Sequence, residues 1–229
     1  PGGSNAGSVR VYRLVAGAWV AEATLYSSTS GPGDGELIGD SVALSGDGSR
    51  LIVGCRHDGV PTATDRGSAT VFSRSVATWA EEAVLIPPGT VPGELAGWSV
   101  AISADGGRAL VSVPSHTLGA FLGAVGSVSA YDRTGVTWTH VTAVTPVGPI
   151  NGNQFGYSIA LAADGTRGIG GAPYENVPSV VSYAGSARIF AFQNRDANGV
   201  ACGAAGTCLS GFCVDGVCCN GACGGGAAN

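Results

Sequence analysis

The stretch FGYSIALAADGTRGIGGAP, residues 155–173, joins two apolar runs through an Asp-Gly pair and ends in Gly-Ala-Pro. Two earlier stretches share this arrangement: GDSVALSGDGSRLIVGC starts at Gly39, and GWSVAISADGGRALVSVP starts at Gly97. The corresponding glycine in the third stretch is Gly156, so the steps are 58 and 59 residues. A constant period of this length is typical of repeat proteins. The sequence therefore predicts a repeat architecture with a period of about 59 residues.

Two further markers follow in the same order, and only the last period lacks the second of them. A Gly-Ser pair opens one alternating run, and a tryptophan opens another. Together with the two runs around Asp-Gly, they predict four strands per repeat, A to D. The Gly-Ser runs are GSVRVY at Gly7, GSATVF at Gly67, GSVSAY at Gly126 and GSARIF at Gly185; the tryptophan runs are WVAEATL at Trp19, WAEEAVL at Trp79 and WTHVTAV at Trp138.

The four predicted strands should differ in solvent exposure. Strand A alternates bulky Val42 and Leu44 with small Ser41 and Ala43, which suits burial between two stacked sheets. Strand B is almost continuously apolar, whereas strand D carries acids, as an outermost edge does. Sheets graded in this way predict an all-β fold of β-propeller-type blades. The acids of strand D are Glu22, Glu81 and Glu82.

The boundaries of the predicted domain follow from these markers. Blades occupy residues 1–194, with an N-terminal C–D strand pair at 7–26. Three repeats then lie near 39–96, 97–155 and 156–192, and the last has no Trp-marked strand D. The first and last sheets are therefore incomplete in complementary ways. Either further blades precede Pro1 in a longer protein, or strand exchange between copies completes the sheets in a head-to-tail filament.

These motifs resemble the FG-GAP repeat of the integrin α-subunit propeller and its bacterial secreted relatives. Phe155-Gly156 supplies the FG and Gly171-Ala172-Pro173 supplies the GAP, and the resemblance covers roughly residues 7–192. It is complete only in the third copy, because the second has Gly97-Trp98 and Val113-Pro114. The resemblance implies a propeller used for extracellular recognition and adhesion rather than for catalysis.

The Asp-Gly pairs decide whether the repeats bind metal. Repeats of this family often hold calcium between strands A and B through several carboxylates, and calcium requires 6–8 oxygen ligands. Here each turn offers a single acid: Asp47, Asp105 or Asp164. The simpler interpretation is a tight turn in which Asp caps its own backbone and Gly takes a positive φ. We therefore expect no cofactor, and we expect folding not to require calcium.

A catalytic interpretation has little support in the sequence. GDSV at Gly39 is similar to an esterase nucleophile block, which makes a secreted hydrolase the rival function. Ser41, however, aligns with Ser99 and Ser158 on the small face of strand A, as a structural position would. The histidines do not have metal-ligand spacing. They are His57, His116 and His140.

The long loops are the best place for a binding site. Strand order places the B–C and D–A loops on one rim, and long loops on a rigid scaffold often carry recognition. The alternative is that these loops only cover the end of the blades. We predict a protein or glycan ligand, or neighbouring copies of the chain. The candidate ligand-binding residues are Asp58, His116, Phe121, Tyr174 and Glu175.

The C-terminal segment, residues 195–229, is predicted to be a disulfide-rich module. Six of the seven cysteines fall here, in a stretch with few apolar residues, so bridges rather than a core would hold it together. Six cysteines allow 15 pairings, and zinc is less favoured because no CxxC spacing occurs. Cys55 is predicted to be a small buried thiol. The bridging cysteines are Cys202, Cys208, Cys213, Cys218, Cys219 and Cys223.

Charge and composition narrow the function further. The net charge is −5, and the 11 Lys and Arg residues are scattered, so no basic stripe is available for nucleic acid. No apolar stretch approaches the ~18 residues of a membrane helix. Clustered cysteines indicate an oxidising compartment, and the start at Pro-Gly-Gly suggests a processed or excerpted chain. We expect a protein that is secreted or exposed at the cell surface.

Overall fold

A computed structural model gives the fold of the chain. It describes residues 7–29, 38–58, 65–76, 78–119, 123–148, 151–176 and 184–192, together with the backbone of 212–214 and 217–219. Candidate residue Phe121 lies outside these ranges, and so do the side chains of the cysteine-rich segment. No helix in the described part could cross a membrane.

In the described residues, every β-sheet is antiparallel, and the sequence predicts this all-β class. Two sheets have four strands, in the order β3-β4-β5-β6 and β7-β8-β9-β10. They are preceded by the hairpin β1-β2 and followed by the three-stranded sheet β11-β12-β13, and a short hairpin β14-β15 lies in the cysteine-rich segment. The strands are β1 Val9–Val15, β2 Ala18–Leu25, β3 Ser41–Leu44, β4 Arg50–Cys55, β5 Ser68–Ser75, β6 Thr78–Leu85, β7 Val100–Ile102, β8 Arg108–Val113, β9 Ser127–Thr134, β10 Thr137–Val144, β11 Ser158–Leu161, β12 Arg167–Ala172, β13 Ser186–Ala191, β14 Phe212–Val214 and β15 Val217–Cys219.

Successive sheets stack on one another in chain order. Ile52 and Val71 of the first four-stranded sheet pack against Val100 and Val111 of the second. The second sheet in turn presents Leu110 to the three-stranded sheet. The hairpin β1-β2 covers the other face of the first four-stranded sheet. Each interface is a separate apolar core, so the molecule is a row of sheets rather than two layers.

Strand A behaves differently in different sheets. Val100 and Ile102 of β7 are 5% and 8% exposed, as predicted for a strand between stacked sheets. Their counterparts Val42 and Leu44 of β3 are 54% and 55% exposed. The cause is the hairpin β1-β2, which supplies only strands C and D and therefore leaves β3 uncovered. The prediction of a buried strand A is wrong for β3 and correct for β7.

The acids of strand D have a more specific position than the predicted wet edge. The side chains of Glu22 and Glu82 are only 9% and 5% exposed. Glu22 accepts hydrogen bonds from Trp79 Nε1 at 2.9 Å and Arg74 Nε at 2.5 Å, both in the next sheet. Glu82 likewise accepts from Trp138 Nε1 at 2.8 Å. These acids therefore connect consecutive outer strands.

Candidate functional site

The Asp-Gly turns close on themselves. Asp47 Oδ1 accepts hydrogen bonds from Ser45 Oγ at 2.7 Å and from the Ser49 N–H at 2.9 Å. The backbone N–H of Ser49 and the Ser45 hydroxyl hold the pKa of Asp47 at about 2. Asp105 repeats both bonds with Ser103 Oγ and the Gly107 N–H, whereas Asp164 accepts both from Thr166, through its N–H and its Oγ1. The glycine after each Asp has a positive φ. The predicted turn geometry is confirmed.

Ser41 has a backbone partner in the next sheet. Its Oγ accepts a hydrogen bond from the N–H of Val100 at 3.0 Å. Ser99 repeats this contact with the N–H of Ile159 at 3.2 Å. The serine of strand A thus bonds to strand A of the next sheet. Ser41, which lies in the esterase-like GDSV motif, therefore has a structural role.

The three histidines lie in three different settings. His57 Nδ1 is 3.1 Å from Asp65, and His116 Nδ1 is 3.1 Å from Glu94. The ring of His140 packs edge-on against Tyr131, and burial lowers the pKa of His140. Among the described residues, no group of three or more histidines, cysteines and acids is placed to hold a metal ion.

Three of the predicted ligand-binding residues occupy one equivalent position, the base of the B–C loop. The carbonyl groups of Asp58, His116 and Glu175 each accept a hydrogen bond from the glycine that opens strand C, at 3.0–3.2 Å. Asp58 is 2% exposed and accepts a hydrogen bond from Ser68 Oγ at 2.5 Å. Glu175 is 7% exposed and bonds to Ser186 and Arg188. This geometry makes all three loop anchors, and Asp58 and Glu175 have little surface to offer a ligand.

Hydrogen bonds from the B–C loop of the second four-stranded sheet favour the charged form of Glu94. Burial raises the pKa of Glu94, but bonds from His116 and from Thr117 outweigh burial and hold that pKa below its ordinary value. Both the N–H and the Oγ of Thr117 donate to Glu94 Oε1 at 2.8 Å. The acid therefore ties the D–A loop to the B–C loop of the following repeat.

Two exposed tyrosines and two half-buried side chains gather beside these anchors in a continuous cluster across three sheets. The guanidinium of Arg56 lies 4.5 Å from the ring centre of Trp98. The Trp98 ring is 5.0 Å from Tyr157, and Tyr157 is 6.1 Å from Tyr174. Tyr157 and Tyr174 are 37% and 42% exposed, and Arg56 is also paired with Asp40 at 2.5 Å. We call Arg56, Trp98, Tyr157 and Tyr174 the rim cluster.

Strand order explains why the rim cluster forms. Trp98 and Tyr157 directly follow the glycine before strand A, and Arg56 and Tyr174 follow the end of strand B. Both points lie at the same end of the sheets, which is the rim that carries the B–C and D–A loops. Because consecutive sheets stack, equivalent positions become neighbours. Trp, Tyr and Arg are the side chains that most often dominate protein–protein binding energy.

Sequence reasoning identified only one member of the rim cluster. Tyr174 was predicted as a ligand-binding residue, whereas Arg56, Trp98 and Tyr157 were not. The missed signal is the position after the repeat glycine, which holds Trp98 and Tyr157 in consecutive repeats. Aligning the repeats for exposed aromatic residues, and not only for apolar periodicity, would have found them.

Comparison with known proteins gives no assignment: no family model matches the chain, and no curated protein matches it.

Proposed function

We propose that this chain is a non-enzymatic extracellular recognition protein, built from β-propeller-type blades, that binds a partner protein through the rim cluster. The observation that carries the proposal is the continuous contact of Arg56, Trp98, Tyr157 and Tyr174 across three stacked sheets. A rigid surface of this kind loses little side-chain entropy when a partner covers it, since its rings already restrain one another.

Three other features support this function. The resemblance to FG-GAP repeats favours extracellular adhesion. The clustered cysteines favour an oxidising compartment. The bases of the loops below the rim cluster are anchored by the carbonyl groups of Asp58, His116 and Glu175, which holds the backbone beside Arg56 and Tyr174. Anchored loops on a stacked scaffold are a common arrangement for binding.

A binding screen with matched variants tests the proposal. The chain is passed over a panel of immobilised extracellular-matrix proteins and, separately, over a glycan array. The double variant Tyr157→Ser/Tyr174→Ser should lose at least about tenfold in affinity for any protein that retains the parent, as two hot-spot residues would. The control, Val76→Ser/Val136→Ser, changes two exposed residues near the C–D turns, on the opposite rim, and should bind like the parent.

Four results would contradict this function. The proposal would be contradicted if no matrix protein retained the chain. It would also be contradicted if both double variants were retained equally, because the rim cluster would then take no part in recognition. Binding confined to the glycan array would replace the protein ligand with a sugar. The rival hydrolase is addressed by an esterase and glycosidase screen, in which turnover that disappears in Ser41→Ala would overturn the non-enzymatic assignment.

A further inference from the structure

The two ends of the row of sheets expose faces that are buried inside it. At one end, β3 presents Val42 and Leu44, which we call the leading face; they are 54% and 55% exposed. Their counterparts in β7 and β11 pack against the preceding sheet. The leading face is therefore one half of an interface that the chain forms twice internally.

At the other end, the three-stranded sheet exposes the matching half. Ile169 and Ile189 are 40% and 75% exposed, and we call them the trailing face. The residues equivalent to Ile169 in the two preceding sheets are Ile52 and Leu110, and those equivalent to Ile189 are Val71 and Ala130; all four are fully buried. The trailing face thus consists of the same sheet positions that, inside the molecule, cover strand A of the next sheet.

Polar groups at the two ends match in the same way. Inside the chain, Ser41 and Ser99 each accept a bond from the N–H of the next strand A. Ser158 is the equivalent serine at the trailing end, and it is exposed. At the leading end, the equivalent N–H belongs to Val42, and no hydroxyl of a described residue bonds to it.

The A–B turns continue this register. Gly46 N–H donates to the Ala104 carbonyl at 2.8 Å, and Ala104 N–H donates to the Ala163 carbonyl at 2.8 Å. By the same pattern, the N–H of Ala163 in one copy would donate to the carbonyl of Gly46 in another. The repeat itself therefore specifies how two chains would align.

Among the described residues the last sheet has three strands, and a groove lies where a fourth would pair. A cavity of about 430 Å³ lies along β13, lined by apolar residues that include Val147, Phe155 and Ile189. In the complete sheets this place is taken by strand D, whose last residue packs inward: Leu85, opposite Ala69, is buried, and Val144 is partly buried. The counterpart in the hairpin is Leu25, which lies opposite Val9 and is 7% exposed.

From these faces we propose that two copies join head to tail, with the sheet β11-β12-β13 of one copy replacing β1 of the other. The joined sheet has the order β11-β12-β13-β2, with β2 from the second copy. Both β1 and β13 occupy the position of strand C, the third strand of a sheet. Only one of them can pair with β2, so the other is displaced. β1 is the one that leaves, since Tyr12 and Leu14 are about half-exposed on it, whereas Phe190 and Phe192 anchor β13.

The exchange transfers the pairing with β2 from β1 to β13. Val9 and Val11 of β1 are replaced by their counterparts Ala187 and Ile189, so the core beneath stays covered. The leading and trailing faces become buried, and the open edge of β13 gains a partner strand. The contact is heterologous, so it gives closed rings or open filaments.

Sedimentation velocity over a range of protein concentrations tests this assembly. The parent chain should form species larger than its 22.5 kDa monomer. Ile189→Asp blocks the trailing face and Val42→Asp blocks the leading face, so each variant alone should stay monomeric. Mixed together, they should form a 1:1 dimer, because each keeps the face that the other has lost. Val76→Asp is the control, since Val76 is 92% exposed and belongs to neither face.

The outcomes separate a specific junction from general association. Circular dichroism checks that each variant folds, and a further variant, Val11→Asn, loosens β1 and should increase assembly. A parent that stays monomeric at its highest soluble concentration would overturn the proposal, as would a mixture of the two blocked variants that forms no dimer. Loss of assembly in Val76→Asp to the same extent would also contradict it.

Discussion

At the scale of single residues, the serine of strand A and the aspartate of the A–B turn give the repeat its fixed positions. The serine hydroxyl bridges to the next strand, as Ser41 does to Val100 and Ser99 to Ile159. The aspartate carboxylate closes the turn, as Asp47 does with Ser45 and Ser49. Each side chain bonds to a neighbouring backbone or hydroxyl group. Every copy of the repeat can therefore use the same residue, although the copies do not gather into one cluster.

Acid should weaken the turns over a defined range of pH. The pKa of Asp47 is about 2 in the folded chain against an ordinary value of 3.8, and backbone hydrogen bonding also lowers the pKa of Asp164. A folded-state pKa below the unfolded one gives stability above pH 3.8 that is lost as the pH falls towards 2. We expect Asp47→Asn to lower Tm at neutral pH, and the difference from the parent to shrink across that range. A difference that is the same at pH 2 and pH 7 would contradict the proposed role of the carboxylate.

At the scale of elements, close backbone contacts through glycine set the spacing between sheets. Gly97 has φ +85°, and a Cβ at this position would lie 2.0 Å from the carbonyl oxygen of Ser68. The glycines that open strand C make similar approaches, with Gly67 bridging to Ala96 and Gly126 to Phe155. A side chain cannot fit between strands this close, so the glycine of each repeat is a requirement of stacking.

Gly97→Ala should therefore be among the most damaging single substitutions. Gly135 is the matched control, because it also has a positive φ but nothing lies within 4 Å of its added Cβ. Gly135→Ala should cost about 1–2 kcal/mol of unfolding free energy, from backbone strain alone. Gly97→Ala should cost at least ~3 kcal/mol more, because the backbone must shift to relieve the clash. Urea unfolding measures both values; equal losses would mean that the sheets are not packed this closely.

Sequence periodicity predicted the elements better than their contacts. Strand order followed from the Gly, Asp-Gly and Trp markers, because each marks a local backbone requirement. The exposure of Val42 did not follow, since it depends on which strands the preceding sheet lacks. Asp58 and Glu175 were chosen as loop residues, but their burial comes from partners that lie 10 or more residues away. The rim cluster needs stacking of three sheets, and a local pattern does not show it.

At the scale of the whole molecule, the surfaces proposed for recognition and for assembly lie apart. The rim cluster lies at the loop end of the sheets, whereas the leading and trailing faces lie at the two ends of the row. Assembly through the end faces would therefore place rim clusters of successive copies side by side. Such an array would bind a multivalent surface more tightly than one copy does, without any new contact.

Residue-resolved amide hydrogen exchange tests most directly the central claim that one interface repeats along the chain. In the monomeric Ile189→Asp variant, the N–H groups of Val100 and Ile159 should exchange slowly, because Ser41 and Ser99 accept their hydrogen bonds. The equivalent N–H of Val42, on the exposed leading face, should exchange much faster. Ser41→Ala should accelerate exchange at Val100 and leave Ile159 unchanged. Equal exchange at Val42, Val100 and Ile159 would contradict the repeated interface.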